Sequence, residues 1–155
     1  MQQPSAQPVV LIIFHCQNGE TEELALRAAV GAVQSRALIR LRRLPDMGMV
    51  SDTEALLRMR KEYVPPTEKD ILGADGLIVV APPDFSESSI QWKPFLELMR
   101  RLNLNHKVTA GIGINPIIFS DLGVTTISNT LGDALAIGRA VADAVQTRKK
   151  QQEQS

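Results

Sequence analysis

Apolar and polar positions follow two different periods along this chain, and the first change between them comes at its most apolar stretch. Residues 9–14, Val-Val-Leu-Ile-Ile-Phe, are unbroken apolar and rich in β-branched side chains. That is the pattern of a strand buried on both faces, as at the centre of a parallel sheet. A polar bend with one glycine follows, Gln17-Asn18-Gly19. Gly19 to Gln34 then reads as a helix, whose Ala25, Ala28, Ala29 and Ala32 suit close packing on a sheet. Residues 37–44 alternate partly and read as a second strand, placed near an edge because half of it is basic; Pro45 ends it. Ser51-Asp52-Thr53-Glu54 has the form of a capping box and opens a short helix to about Tyr63. Pro65-Pro66 breaks that helix, and Thr67 with Asp70 caps a further turn.

Gly76 to Ala81 reads as a third buried strand, closed by Pro82-Pro83. A helix is expected over Ser89–Leu102, with Trp92, Phe95, Leu96, Met99 and Leu102 on one stripe. Pro94 is comfortable only in a first turn, so this helix either starts late or is kinked. Val108 to Ile114 reads as a fourth strand, interrupted by Gly111 and Gly113. Asn129 is expected to cap a last helix running to about Arg148, with Leu131, Leu135, Gly138, Val141 and Val145 inward. Strands alternating with helices predict a three-layer α/β fold with a parallel sheet. Residues 115–128 contain extended-looking fragments but no helix. Asn115-Pro116 is too short a link for Ile117 to Phe119 to form the next parallel strand. The sheet is therefore expected to stop at four strands, its fifth strand missing or irregular.

Composition narrows the classes. A chain of 155 residues suits one domain with a real core. Residues 1–8 read as a loose tail, 9–148 as the domain and 149–155 as a frayed end. The 17 basic and 17 acidic residues leave no global field, so charge gives no support to a nucleic-acid or anionic-membrane partner. Cys16 is the only cysteine, which excludes an internal disulfide and suits a reducing compartment, with the cytoplasm expected. No apolar run reaches the length of a membrane span. The opening Met1–Pro8 is uncharged and unlike a secretory signal. His15 and His106 stand far apart, and no metal-ligand spacing emerges.

The chemistry concentrates at the first bend. Strand, tight loop and helix are the arrangement in which backbone N–H groups and the positive end of a helix converge on an anion. Three stretches here resemble, in order, the flavodoxin-like NAD(P)H:quinone oxidoreductases of the tryptophan-repressor-binding-protein (WrbA) type. Cys16-Gln17-Asn18-Gly19-Glu20-Thr21 resembles that family's phosphate loop. Ala81-Pro82-Pro83-Asp84-Phe85-Ser86, followed by Lys93-Pro94-Phe95-Leu96, is similar to its second loop and helix. Gly123-Val124-Thr125-Thr126-Ile127, with Leu135-Ala136-Ile137-Gly138-Arg139, is similar to its last loop and helix. The resemblance implies a flavodoxin-like fold with a parallel sheet in the order 2-1-3-4, an FMN cofactor, NAD(P)H as co-substrate, a quinone or other small electron acceptor, and a homo-oligomer. It places Cys16, Asn18, Gly19, Glu20 and Thr21 around the phosphate. Pro82, Pro83, Asp84, Phe85 and Ser86 would run along the ribityl chain and flavin edge, and Gly111, Ile112 and Gly113 would replace the third loop.

The chain departs from that pattern at informative positions. Cys16 stands for serine and Glu20 for histidine or asparagine. Asp84 stands for arginine, and the third flavin loop is shortened. A carboxylate about 6 Å from a phosphate opposes it by roughly 1 kcal/mol in water and nearer 3 at an effective dielectric of about 20. The alternative is a flavin-free flavodoxin-like domain acting by self-association or protein binding, since a bare fourth-strand edge invites pairing. Phe14-His15-Cys16 also resembles the thiolate loop of low-molecular-weight tyrosine phosphatases. That loop requires arginine where Glu22 stands, and a buried, inert Cys16 is the expectation. Strand alternation would set His15 and Cys16 on opposite faces.

Overall fold

The structure is a computed structural model that describes residues 7–16, 19–47, 53–83, 85–114, 116–119, 122, 124–127 and 133–154. Strand β1 is Val9–Phe14, helix α1 Gly19–Gln34 and strand β2 Leu38–Arg43. Helices α2 (Glu54–Glu62) and α3 (Glu68–Leu72) precede β3, Gly76–Val80. Helix α4 (Lys93–Arg101), β4 (Val108–Ile112), β5 (Thr125–Thr126) and α5 (Ala134–Gln154) complete the chain. The sheet order is β2-β1-β3-β4-β5 with every pair parallel.

The unbroken apolar run of β1 is explained by its place between β2 and β3, with helices on both faces. Val10, Ile12 and Phe14 pack against the alanines of α1 and the Ile137, Val141 and Val145 stripe of α5. Leu11 and Ile13 turn to the other face, against Ile71 of α3 and Phe95, Leu96 and Met99 of α4. Each of these large β1 side chains, wholly removed from water, contributes about 1.5–3 kcal/mol. Helices α1 and α5 touch backbone to backbone. A Cβ on Gly31 would lie 2.0 Å from the Leu135 carbonyl oxygen, and one on Gly138 2.0 Å from that of Ala28.

Several boundaries differ from the pattern-based expectation. Helix α4 starts late, at Lys93, which puts Pro94 in its first turn where no N–H is missed. The cap of α2 is Thr53, whose side chain accepts from Leu56 N, so the helix opens at Glu54; Ser51 and Asp52 lie outside the described residues. The Thr67–Asp70 capping box on α3 is present as expected. Helix α5 opens at Ala134 and runs to Gln154, with Ile137 buried and Leu135 only half-buried. The expected cap Asn129 and inward Leu131 lie outside the described residues.

The fifth strand is a parallel one of two residues, Thr125–Thr126, beside Val108 and Thr109. Among the described residues between β4 and β5 no α-helix is present. A 3-10 turn at Pro116–Phe119 takes its place, and Phe119 is fully buried with the α4 side of the core. The β4 edge that argued for a second copy is therefore met, along these two residues, from within the chain.

Candidate functional site

Strands β1 and β3 leave the sheet at the same end, and the chain passes from β1 to β2 on one side and from β2 back to β3 on the other. That reversal is the switch point at which open α/β sheets bind ligands. A cleft of about 460 Å³ lies there, a size suited to a small molecule or cofactor. Cys16, Glu20 and Thr21 line one side, and Pro82, Pro83 and Phe85 the other. These six expected residues, far apart in sequence, are brought together.

The other expected residues stand elsewhere. Gly19 opens α1 with nothing within 4 Å of where a Cβ would be. Ser86 hydrogen-bonds its Oγ to that of Ser88 at 3.0 Å and is not in the lining. Asn18 and Asp84 lie outside the described residues. Gly111, Ile112 and Gly113 do not line the cleft. The Ile112 carbonyl accepts from Ala81 N at 2.8 Å. Gly113 has φ +75°, and a Cβ there would lie 2.3 Å from the Ala81 carbonyl oxygen. A Cβ on Gly111 would instead lie 2.7 Å from the Ile114 carbonyl oxygen, so both glycines have a backbone reason for their presence: Gly113 beside the end of β3 and Gly111 under the turn that follows β4.

Four lining residues were not foreseen: His15, Ser89, Gln91 and Trp92. Strand β1 ends at Phe14, so alternation no longer applies and His15 and Cys16 both reach the cleft. Trp92, 2 % exposed, meets Phe85 edge-on at 5.1 Å between ring centroids. The apolar stripe of the α4 region marked Trp92 as core, which it also is. Only topology makes it a cleft wall.

Behind the cleft lies a buried ionic cluster. His15 Nε2 contacts Asp46 Oδ1 at 2.9 Å, and both side chains are nearly buried. Arg43 donates to both Asp46 oxygens at 3.0 and 2.8 Å, Arg60 Nε donates at 2.9 Å, and Arg43 also donates to the Cys16 carbonyl at 2.7 Å. Burial alone would raise the Asp46 carboxyl, but the bonds from Arg43, Arg60 and His15 outweigh it and hold it far below the usual carboxylate range. An ionised Asp46 assigns the proton to His15 Nε2. The basic half of residues 37–44 pointed to an edge strand, yet Arg43 within it is 4 % exposed and ties β2 to the end of β1.

A second cluster holds α2 to α1. Glu22 accepts from Arg58 at 2.5 and 3.0 Å and from the Tyr63 hydroxyl at 2.6 Å. The Arg58 bond holds the Glu22 carboxyl below its ordinary value against burial, with Tyr63 adding to it. Position 22 is thus a helix clamp. Cys16 is buried with its Sγ 3.8 Å from Met59 Sδ.

The flat apolar surfaces of Pro82, Pro83, Phe85 and Trp92 fit a planar aromatic ring. At the other end, the start of α1 and the buried Thr21 hydroxyl fit an anion, and Glu20 sets one negative charge against it. Among the described residues there is no metal-binding cluster and no helix long and apolar enough to cross a membrane.

No protein-family model matches the chain. A curated Archaeoglobus fulgidus protein named NAD(P)H dehydrogenase (quinone) is 24% identical over 110 residues, covering 67% of this chain and 58% of its own length. The chain thus spans little more than half of that relative. Among solved structures, a flavodoxin from the domain Archaea superposes with a TM-score of 0.62 at 14% identity, covering 89% of this chain and 99% of its own. Two-electron reduced Megasphaera elsdenii flavodoxin gives 0.60 at 17% identity, covering 86% and 98%. A flavone reductase gives 0.55 at 15% identity, covering 89% of this chain and 63% of its own. These likenesses show the fold: the chain is flavodoxin-like.

Proposed function

We propose that the chain binds FMN in the cleft between the ends of β1 and β3 and passes electrons from NAD(P)H to a quinone or another small acceptor. The observation that carries this reading is the convergence of Cys16, Glu20, Thr21, Pro82, Pro83 and Phe85 on one cleft at the switch point. The fold of the neighbours and the name of the archaeal relative support it, and the order of the three motifs supports the WrbA type within it. A homo-oligomer in the cytoplasm belongs to the same proposal.

Thr21, with Cys16 and the start of α1, would hold the phosphate end. Pro82, Pro83, Phe85 and Trp92 would enclose the ring. When bound, the flavin supplies the hydride and electron transfer, and the protein supplies position and electrostatics. The chain's own part is to seat a planar ring on apolar walls and keep water from one side of it. His15, held through Nε2 by Asp46, keeps its ring orientation beside Cys16.

Titrating FMN into the purified apoprotein tests this. Saturable quenching of Trp92 emission, followed by NAD(P)H oxidation with a quinone, is the expected outcome. An unchanged emission at FMN well above 100 μM, roughly the weakest useful cofactor affinity, refutes it. The Glu20 carboxylate in the lining favours one second reading, a flavin-free interaction domain, and that same absence of binding would support it.

A further inference from the structure

The opposite end of the sheet carries a second pocket of about 150 Å³, formed by Asp75 before β3, the Asn105-His106-Lys107 turn before β4, and Arg148 and Lys149 of α5. Its lining sets three cationic side chains against one carboxylate. Asp75 Oδ2 is already engaged by Val9 N at 2.9 Å and Lys149 Nζ at 3.2 Å. Lys107 Nζ donates to the carbonyls of Leu72 and Ala74 at the end of α3. Its charge is directed at the backbone rather than at a carboxylate.

Arg148 is the informative member. It donates to Thr125 Oγ1 at 2.9 Å and meets His106 Nδ1 at 3.2 Å. Neither partner is a carboxylate. A guanidinium can only donate, so His106 Nδ1 is the acceptor in this contact. Among the described residues no carboxylate balances Arg148, and these two contacts use only part of a guanidinium's about five N–H donors. His106 holds φ +74°, a left-handed conformation in which it bends the turn beside Arg148. His106 and Asn105 line the same small space.

We infer that this pocket binds a small oxyanion of the phosphate class through Arg148, Lys149 and His106. A surplus of donors with net positive charge, in a space of this size, suits a tetrahedral anion and does not suit an apolar or cationic ligand. Free inorganic phosphate and the terminal phosphate of a nucleotide or sugar share this chemistry. The site lies at the amino-terminal ends of β3 and β4, away from the cleft, and stands whether or not a flavin binds there.

Calorimetric titration of the full chain with inorganic phosphate, and separately with AMP, tests this at constant ionic strength set by chloride. One saturating site is expected. Tighter binding of AMP assigns a monoester and tighter binding of phosphate the free ion. Arg148→Gln weakens the site by about tenfold or more, as expected for a charge-assisted bond. Asp75→Asn keeps an acceptor for Val9 N, removes the like charge and tightens binding several-fold. In the unaltered protein, phosphate should shift the imidazole resonances of His106, a readout that needs no variant to fold. Absence of saturation below about 20 mM for both anions, or Arg148→Gln binding as tightly as the unaltered chain, overturns the inference.

Discussion

Replacing Asp46 by alanine should destabilise this protein more than any surface substitution of equal size. An exposed ion pair contributes about 0–1 kcal/mol, whereas removing one partner of a buried pair costs about 3–5 kcal/mol because a charge is left uncompensated. Burial decides between the two. Asp46 and Arg43 side chains are 5% and 4% exposed, while the side chain of Arg60, at 39%, behaves as a surface partner. Without Asp46, Arg43 keeps the Cys16 carbonyl, and its buried Nε has no partner even in the intact cluster. A loss of about 3 kcal/mol lowers the urea midpoint by roughly 1–3 M and the melting temperature by roughly 10 °C.

The pH dependence has a definite sign. Asp46 is held below its unfolded value of 3.8, so its contribution is fully present above that pH and is lost as pH falls through the folded value. The stability gap between the unaltered protein and Asp46→Asn should stay level from pH 7 to about 5 and close in stronger acid. Chemical unfolding at a series of pH values measures it. The double variant Arg43→Met/Asp46→Leu should lose less than the sum of the single variants by about 1 kcal/mol or more. A single-variant loss under about 1 kcal/mol, or a gap that widens in acid, would refute the reasoning.

Gly138→Ala gains roughly 1 kcal/mol of helix propensity but forces a Cβ onto the Ala28 carbonyl. Denaturant unfolding should show a net loss of about 1–3 kcal/mol, while Gly19→Ala, with open space around it, stays within about 0.5 kcal/mol. Glu20→Gln should tighten FMN about fivefold or more in a fluorescence titration, since it removes one like charge from the phosphate end of the cleft. Weaker binding would place Glu20 among the groups that hold the cofactor. Cys16, 3 % exposed, should react slowly with iodoacetamide at neutral pH and speed up with denaturant; fast labelling of the native protein would contradict its burial.

Part of the candidate site was legible because it sits where local pattern and topology agree. Cys16, Glu20 and Thr21 follow a strand whose end is marked by the change from apolar to polar residues. Pro82, Pro83 and Phe85 follow another. His15 was misplaced because alternation was carried past Phe14, where the strand stops and its rule with it. Trp92 was read from its helical stripe, and a stripe cannot tell a core wall from a cleft wall. Gly111 and Gly113 suggested a ligand loop, but close backbone is what requires them, Ile114 beside Gly111 and the Ala81 carbonyl beside Gly113.

Hydrophobic period and chain punctuation by themselves determined β1, α1, the Thr67–Asp70 cap and the alternation of strands with helices, because these rest on near neighbours; the 2-1-3-4 order came from the resemblance of three motifs to a known fold. Tertiary structure alone decided that Arg43 is a buried tie and not a solvated edge, since its partners His15, Cys16 and Asp46 meet it only after β1 and β2 pair. It also decided that a two-residue β5 closes part of the β4 edge, and that Gly31 and Gly138 let α1 and α5 touch. An ion pair or a backbone contact between distant residues leaves no period in the chain; it exists only once the sheet has brought the elements side by side.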